Sequence, residues 1–304
     1  MKVIKKTAVV VTAFALSMLS VIHCFAETSY FESGYFYSYI NNDAVRLVGW
    51  DYRTSVLPVP DKLNNRPVTA IANDAFSDNE NLTGIDFTNA INLTAIGMYS
   101  FSNCTNMVET LVLPEQIYFI DECAFEGCSS ITEVEINSGL YYIANQCFNK
   151  CNSLQKVTLN DGLVQIRSYA FANCPELEYV LIPSTVTDIS PTAFENDSNL
   201  KIYGFADSYA QTYAHEHNIP FVEMVKFLLG DVDGVDGVNI NDVTAIQSHL
   251  AELKTVEGVY LLAADANLDG IVDISDATAI QMKLAEYELP YPIGQYVTKE
   301  IVLE

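Results

Sequence analysis

Apolar positions recur along the middle of the chain with a period of 23 to 25 residues. Phe76, Phe101, Phe125, Phe148, Phe171 and Phe194 are spaced 25, 24, 23, 23 and 23 apart. A small residue precedes each: Ala75, Ser100, Ala124, Cys147, Ala170 and Ala193. Six residues after each Phe stands another apolar residue, Leu82, Met107, Ile131, Leu154, Leu177 and Leu200. Eight and five residues before it stand Val68/Ile71, Leu93/Ile96, Ile117/Ile120, Leu140/Ile143, Leu163/Ile166 and Val186/Ile189. A period in the twenties predicts a solenoid whose turns bury their apolar faces against one another. Within each turn, pairs such as Val134/Ile136, Val157/Leu159 and Val180/Ile182 alternate with polar neighbours, which predicts a short strand. A second short extended piece leads into the Phe. Two residues past the Phe, Asp78, Asn103, Gly127, Asn173 and Asn196 suit a turn with positive φ. One extra residue before Leu111 predicts a small bulge.

Downstream the period changes. Thr244–Ala251 and Thr278–Ala285 both read Thr-Ala-Ile-Gln-x-x-Leu-Ala, 34 residues apart. Ile246/Leu250 and Ile280/Leu284, at i and i+4, predict two helices with one buried stripe each. Each helix follows a twelve-residue loop rich in oxygen side chains. In Asp265–Asp276, Asp265, Asn267, Asp269, Asp273 and Asp276 fall at positions 1, 3, 5, 9 and 12, with Gly270 at position 6. Alternating carboxylates and amides around a glycine turn fit a loop wrapping one hard cation, with the backbone carbonyl of Ile271 at position 7. Asp stands at position 12 where Glu is usual. The upstream copy, Asp231–Asp242, offers Asp231, Asp233, Asn239 and Asp242. It has Val235 at position 5 and Asp236, not Gly, at position 6. Valine has no oxygen to donate, so two calcium sites are expected, the first weaker.

Cysteine usage leaves two readings open. Cys104, Cys128, Cys151 and Cys174 each lie three residues after a Phe, where Asn79 and Asp197 stand in the flanking repeats. They form either an inward column of free thiols or disulfides between neighbouring turns. Tyr118/Phe119 and Tyr141/Tyr142 share a column, and Tyr99 and Tyr169 another. Such a strip could pack along the flank, stack on sugar rings or anchor a protein. The single tryptophan is Trp50.

The repeat motifs resemble BspA-like leucine-rich repeats of bacterial surface proteins, from Gly34 to Val222. Gly34-Tyr35-Phe36-Tyr37 and Val45–Gly49 look like that family's opening strands, and Ser208-Tyr209-Ala210 with Ile219–Val222 like its closing unit. The resemblance implies an adhesion or recognition surface without catalytic residues. The paired loops and helices resemble a type I dockerin, the module that binds cohesin domains on cellulosomal scaffolds. The resemblance is carried by Gly230–Gly234, Val238–Asp242 and Asp265–Asp276; Leu228–Gly230 gives no entering helix. By position in that family, the cohesin contact falls on Ile240, Asn241, Gln247 and Ser248 in the first copy. In the second copy it falls on Ile274, Ser275, Gln281 and Met282. Near-identity of the copies implies docking in two orientations, and Ile at position 10 implies a more apolar contact.

Charge and termini complete the picture. The formal net charge is −24 over 304 residues, which disfavours nucleic acid and anionic membranes as partners. Lys2, Lys5 and Lys6, the apolar stretch Thr7–Ile22 and Cys24-Phe25-Ala26 read as a signal peptide cleaved near Ala26. The expected organisation is an α+β multidomain protein: signal peptide 1–26, β-rich repeat solenoid 27–222, small α-helical dockerin 223–292 and C-terminal tail 293–304. Only Glu223–Lys226 connects the two parts. His215-x-His217 lacks a third zinc ligand nearby, and no nucleophile elbow or phosphate loop is present. The expected protein is secreted, extracellular and cellulosome-associated, not an enzyme, with no transmembrane anchor after processing. Its partners would be a cohesin and a polysaccharide or protein ligand of the repeats. Two alternatives stay open: a subunit acting enzymatically on polysaccharide, and a free adhesin with a structural calcium module.

Overall fold

The computed structural model describes residues 29–300 apart from 52–53, 108 and 138. The expected signal peptide lies outside the described residues. The chain divides at Phe221/Val222 into two units.

In the first unit the six repeat phenylalanines form one continuous stack. Consecutive ring centroids lie 5.3, 5.3, 5.3, 5.4 and 5.7 Å apart, with interplanar angles of 12° or less. All six rings are buried, as are the predicted apolar residues before and after them. Offset ring pairs add about 0.5–1.5 kcal/mol each beyond simple burial. The alternating stretches form a parallel ladder of Glu109–Leu113, Ile131–Ile136, Lys156–Leu159, Tyr179–Leu181 and Lys201–Gly204. Its register shifts between Ile131 and Glu133, opposite Glu109 and Thr110, in the repeat expected to bulge. The short pieces before each Phe make a second face. Val45–Trp50, Arg66–Ile71, Ala95–Ile96 and Phe119–Ile120 are parallel neighbours, and Tyr142–Ile143, Gln165–Ile166 and Asp188–Ile189 form a separate sheet.

The turn positions two residues past the Phe all have positive φ, from 56° at Asp78 to 72° at Gly127. Lys150, which the sequence did not single out, joins them at 61°. A second such column lies two residues before the Phe: Asp74, Tyr99, Cys123, Gln146 and Tyr169. That column went unread because its residues share no turn chemistry.

The six described cysteines are free and buried, which decides between the two readings. The Cys104, Cys128, Cys151 and Cys174 thiols donate to the carbonyls of Phe76, Phe101, Phe125 and Phe148, at 3.1 to 3.4 Å. Helix α1, Tyr209–Glu216, closes the end of the array and is capped by the Ser208 side chain accepting from Gln211 N. Tyr213 on this helix sets its ring edge-on to Phe194, 6.1 Å away, which ends the stack.

The second unit packs helices α2 (Ile240–Leu250), α3 (Val259–Ala264) and α4 (Ile274–Leu284) around Phe227, Val243, Ile246, Ala277, Ile280 and Ile293. Both long helices start one turn earlier than Thr244 and Thr278. Asn239 and Asp273 form capping boxes in which Asp242 and Asp276 sit at the third helical position and accept from the cap N–H. Asp242 and Asp276 therefore lie inside the first turn, not ahead of it. The i, i+4 stripe needs correction at its end. Ile246 and Ile280 are fully buried, but Leu250 and Leu284 are 42% and 41% exposed, because Val243 and Ala277 of the first turn fill the core instead. A short helix, α3, enters the second loop, so only the first loop lacks an entering helix. The residues read as connector lie within strand Phe221–Leu228. That strand pairs antiparallel with Tyr296–Glu300, so the segment expected to be a tail contains a strand of this unit. Gly230, at φ 88°, turns the chain out of that strand where a Cβ would come within 2.9 Å of Ile293.

Candidate metal loops and recognition surface

Each loop is organised around the carboxylate at its end. Asp242 and Asp276 are fully buried. Oδ1 of Asp242 accepts from Val232 N at 2.7 Å and Asp233 N at 3.1 Å, and its Oδ2 accepts from Asn239 N at 2.7 Å. Asp276 repeats the pattern, accepting from Asn267 N at 3.1 Å and Asp273 N at 2.9 Å. Burial raises both carboxyls above the usual range, and the amide donors oppose that rise. Asp273 moves the other way, held low by its hydrogen bonds from Ser275.

The first loop brings its carboxylates together. Ligand oxygens of Asp231, Asp233 and Asp242 all lie within 4.8 Å of one another. Three converging carboxylates suit a hard divalent cation. Asn239 turns its amide nitrogen onto the carbonyls of Val235 and Gly237 and its oxygen onto Asn241 N. Val235 is exposed and adds no ligand atom, and Asp236 takes the turn at φ 59° that glycine would take.

The second loop has the fuller set of oxygen side chains, yet no such three-carboxylate cluster forms there among the described residues. Asp265 accepts from Gly270 N at 3.2 Å, and the ammonium of Lys299 lies 3.8 Å from its Oδ2. Asn267 donates to Asp269 Oδ2 and to Ser275 Oγ. Gly270 turns at φ 88° as expected, while Leu268 two residues earlier is held at φ 60°. Ile271 is exposed, its carbonyl being the position-7 oxygen. Sequence reasoning missed Lys299, because it comes from the distant strand Tyr296–Glu300.

The residues expected to meet a partner lie at the surface of α2 and α4. Ile240 and Ile274 are 59% and 60% exposed, Met282 is exposed, and so are Asn241, Gln247, Ser275 and Gln281. Ser248 is half-buried. In the repeats, Tyr118 and Tyr141 are exposed, with Tyr142 and Phe119 half-buried beside them. Trp50 is buried and offers no platform. The two histidines of the closing unit do not converge: His217 stacks on Tyr213 and His215 meets the edge of Phe221. Among the described residues no helix is long and apolar enough to cross a membrane.

No curated protein matches the chain. A leucine rich cell surface protein from Faecalibacterium prausnitzii A2-165 is 22% identical with a TM-score of 0.47; the match covers 60% of this chain and 56% of that one. The chain thus spans little more than half of that relative's length. The leucine rich repeat protein of T. pallidum is 19% identical, TM-score 0.47, covering 62% and 95% of the two chains. A leucine-rich repeat protein from Bacteroides ovatus is 15% identical, TM-score 0.26, covering 58% and 70%. Residues 69–201 match the model of the BspA type leucine rich repeat region, in six copies.

Proposed function

We propose that this protein is a secreted, non-catalytic interaction protein. Its second unit would act as a type I dockerin that holds calcium and docks a cohesin on a cellulosomal scaffold, and its repeats would serve as the recognition surface. The observation that carries the reading is the matched pair of loop–helix units. Each ends in a buried aspartate, Asp242 or Asp276, at the same place in a capping box. Burying a carboxylate beside other carboxylates is costly unless a cation joins them. Calcium would draw on Asp231, Asp233, Asn239 and Asp242 in the first loop. In the second it would draw on Asp265, Asn267, Asp269, Asp273, Asp276 and the Ile271 carbonyl. Bound calcium would neutralise those carboxylates and fix the starts of α2 and α4. The exposed apolar pair Ile240 and Ile274, one residue past each cap, supports docking by an apolar contact and in either of two orientations. The signal-like pattern of the first 26 residues supports an extracellular location.

The test is capture of the full chain on immobilised cohesins. Binding in calcium that is abolished by chelator and by Asp276→Ala supports the reading. Failure of a broad cohesin panel in calcium would leave the loops a structural element of a free adhesin.

A further inference from the structure

We propose that the tyrosine ledge of the repeat region, Tyr118 and Tyr141 beside the Tyr142–Arg167 stack, binds a neutral polysaccharide chain. The inference rests on the reading of the repeats as a recognition surface and names the class of ligand. Tyr118 and Tyr141 are 62% and 57% exposed and occupy equivalent positions of the turns built on Phe125 and Phe148. Those two phenylalanines stack at 5.3 Å and 3°, so the tyrosines are carried one stiff turn apart. Their backbones are pinned as well. Tyr118 N donates to Thr94 O at 3.1 Å, and Tyr141 O accepts from both Val164 N and Gln165 N. Phe119–Ile120 is the last strand of one sheet and Tyr142–Ile143 the first of the next, so the ladder is interrupted between the two tyrosine-bearing turns.

Arg167 provides a second, independent observation. Its guanidinium lies 3.5 Å above the centre of the Tyr142 ring. Among the described residues no carboxylate pairs with it, although the chain holds 39 acidic residues. Its N–H edge is therefore positioned by stacking and left to donate elsewhere. Gln165 and Asp188, hydrogen-bonded at 3.4 Å, stand in the adjoining column.

Flat exposed rings next to planar donors and acceptors match a sugar, whose C–H face stacks while its hydroxyls hydrogen-bond. A protein anchor would call for an apolar surround that excludes water, and here Phe119 and Val164 are interspersed with the polar Thr94, Gln165 and Asp188 of the same and the adjoining column. A polyanion is opposed by the net charge of −24.

The experiment is electrophoresis of the full chain through gels containing xylan, mixed-linkage glucan, galactomannan or polygalacturonate, followed by calorimetry with oligosaccharides of any that retards it. At least one neutral polysaccharide should retard the chain. The double variant Tyr118→Ala/Tyr141→Ala should lose affinity by about tenfold or more while unfolding at an unchanged temperature. Tyr118→Phe/Tyr141→Phe should keep most of it, and Arg167→Gln should weaken it. The proposal fails if no neutral polysaccharide retards the chain, if only polygalacturonate does, or if the double alanine variant binds like the parent. Calcium-dependent cohesin capture should be unchanged in every ledge variant. Loss of capture from the parent with glycan binding intact would count against the docking reading alone.

Discussion

The thiol of Cys174 donates to the backbone carbonyl of Phe148, one turn upstream, at 3.3 Å. The same contact is made by the cysteines of the three preceding turns, so thiols stitch the array along its interior. Burial drives these thiols toward the neutral form, that of Cys104 to about 12. Nucleophilic attack needs the thiolate, so the native column is inert. At pH 8 a folded chain of residues 27–304 should react negligibly with Ellman's reagent. In denaturant, without any reductant, the six cysteines of the repeats should all react. A shortfall of two thiols in denaturant would mean a disulfide and contradict this arrangement.

Asp197 occupies the cysteine position in the last turn, and its carboxyl is buried with Oδ1 accepting from Cys174 N at 2.7 Å. Its Oδ2 has no hydrogen-bond partner. Burial pushes this carboxyl up to about 7, against about 4 in an unfolded chain. The folded state therefore holds a proton that the unfolded state has lost between those values. Stability conferred by this group is present below about pH 4 and is lost as the pH rises towards 7, by a few kcal/mol at most. Asp197→Asn should leave stability near pH 4 little changed and raise it at pH 8. Denaturant titrations at the two pH values measure this, and an equal effect at both would rule out the linkage.

Much of the first unit was legible because a solenoid repeats its own instructions. Each Phe, with apolar residues at fixed offsets, restates the same buried column, so the stack from Phe76 to Phe194 could be read without any long-range knowledge. The loops were legible for a similar reason, since ligand spacing within twelve residues is local. What escaped depends on distant parts of the chain. Leu250 fits an apolar stripe, but its exposure is set by which turn of α2 reaches α4. Strand Tyr296–Glu300 has only five residues of mixed character and is defined by pairing with Phe221–Leu228. The approach of Lys299 to Asp265 follows from that pairing and could not be seen without it.

Leu268 sits at φ 60° in the second loop, where its counterpart in the first is Gly234 at φ 71°. A leucine in the left-handed region costs about 1–2 kcal/mol relative to a right-handed conformation. Its side chain is 44% exposed, so little packing offsets that strain. Leu268→Gly should relieve it and stabilise the calcium-loaded second unit by roughly 1 kcal/mol, less the entropy glycine adds to the unfolded chain. A rise in the melting temperature in excess calcium would bear this out, and a fall would show that the leucine makes a compensating contact.

On the calcium reading proposed above, the two loops differ in ways that would pull affinity in opposite directions. The first converges three carboxylates but lacks an oxygen at Val235, while the second supplies Asp269 there but keeps Lys299 beside Asp265. Ligand number counts directly towards calcium affinity, because each missing oxygen must be replaced by water. The lysine contact is long, at 3.8 Å, and the Lys299 side chain is 45% exposed, so displacing it costs only about 0.2–1 kcal/mol. The ligand term wins, and the second site should fill first. Calorimetry should resolve two unequal events, the tighter one abolished by Asp269→Ala. Val235→Asp should tighten the weaker event by about tenfold, and Lys299→Ala the stronger by no more than about fivefold. Two equal sites in the parent protein, or an untouched tight site in Asp269→Ala, would reverse the assignment.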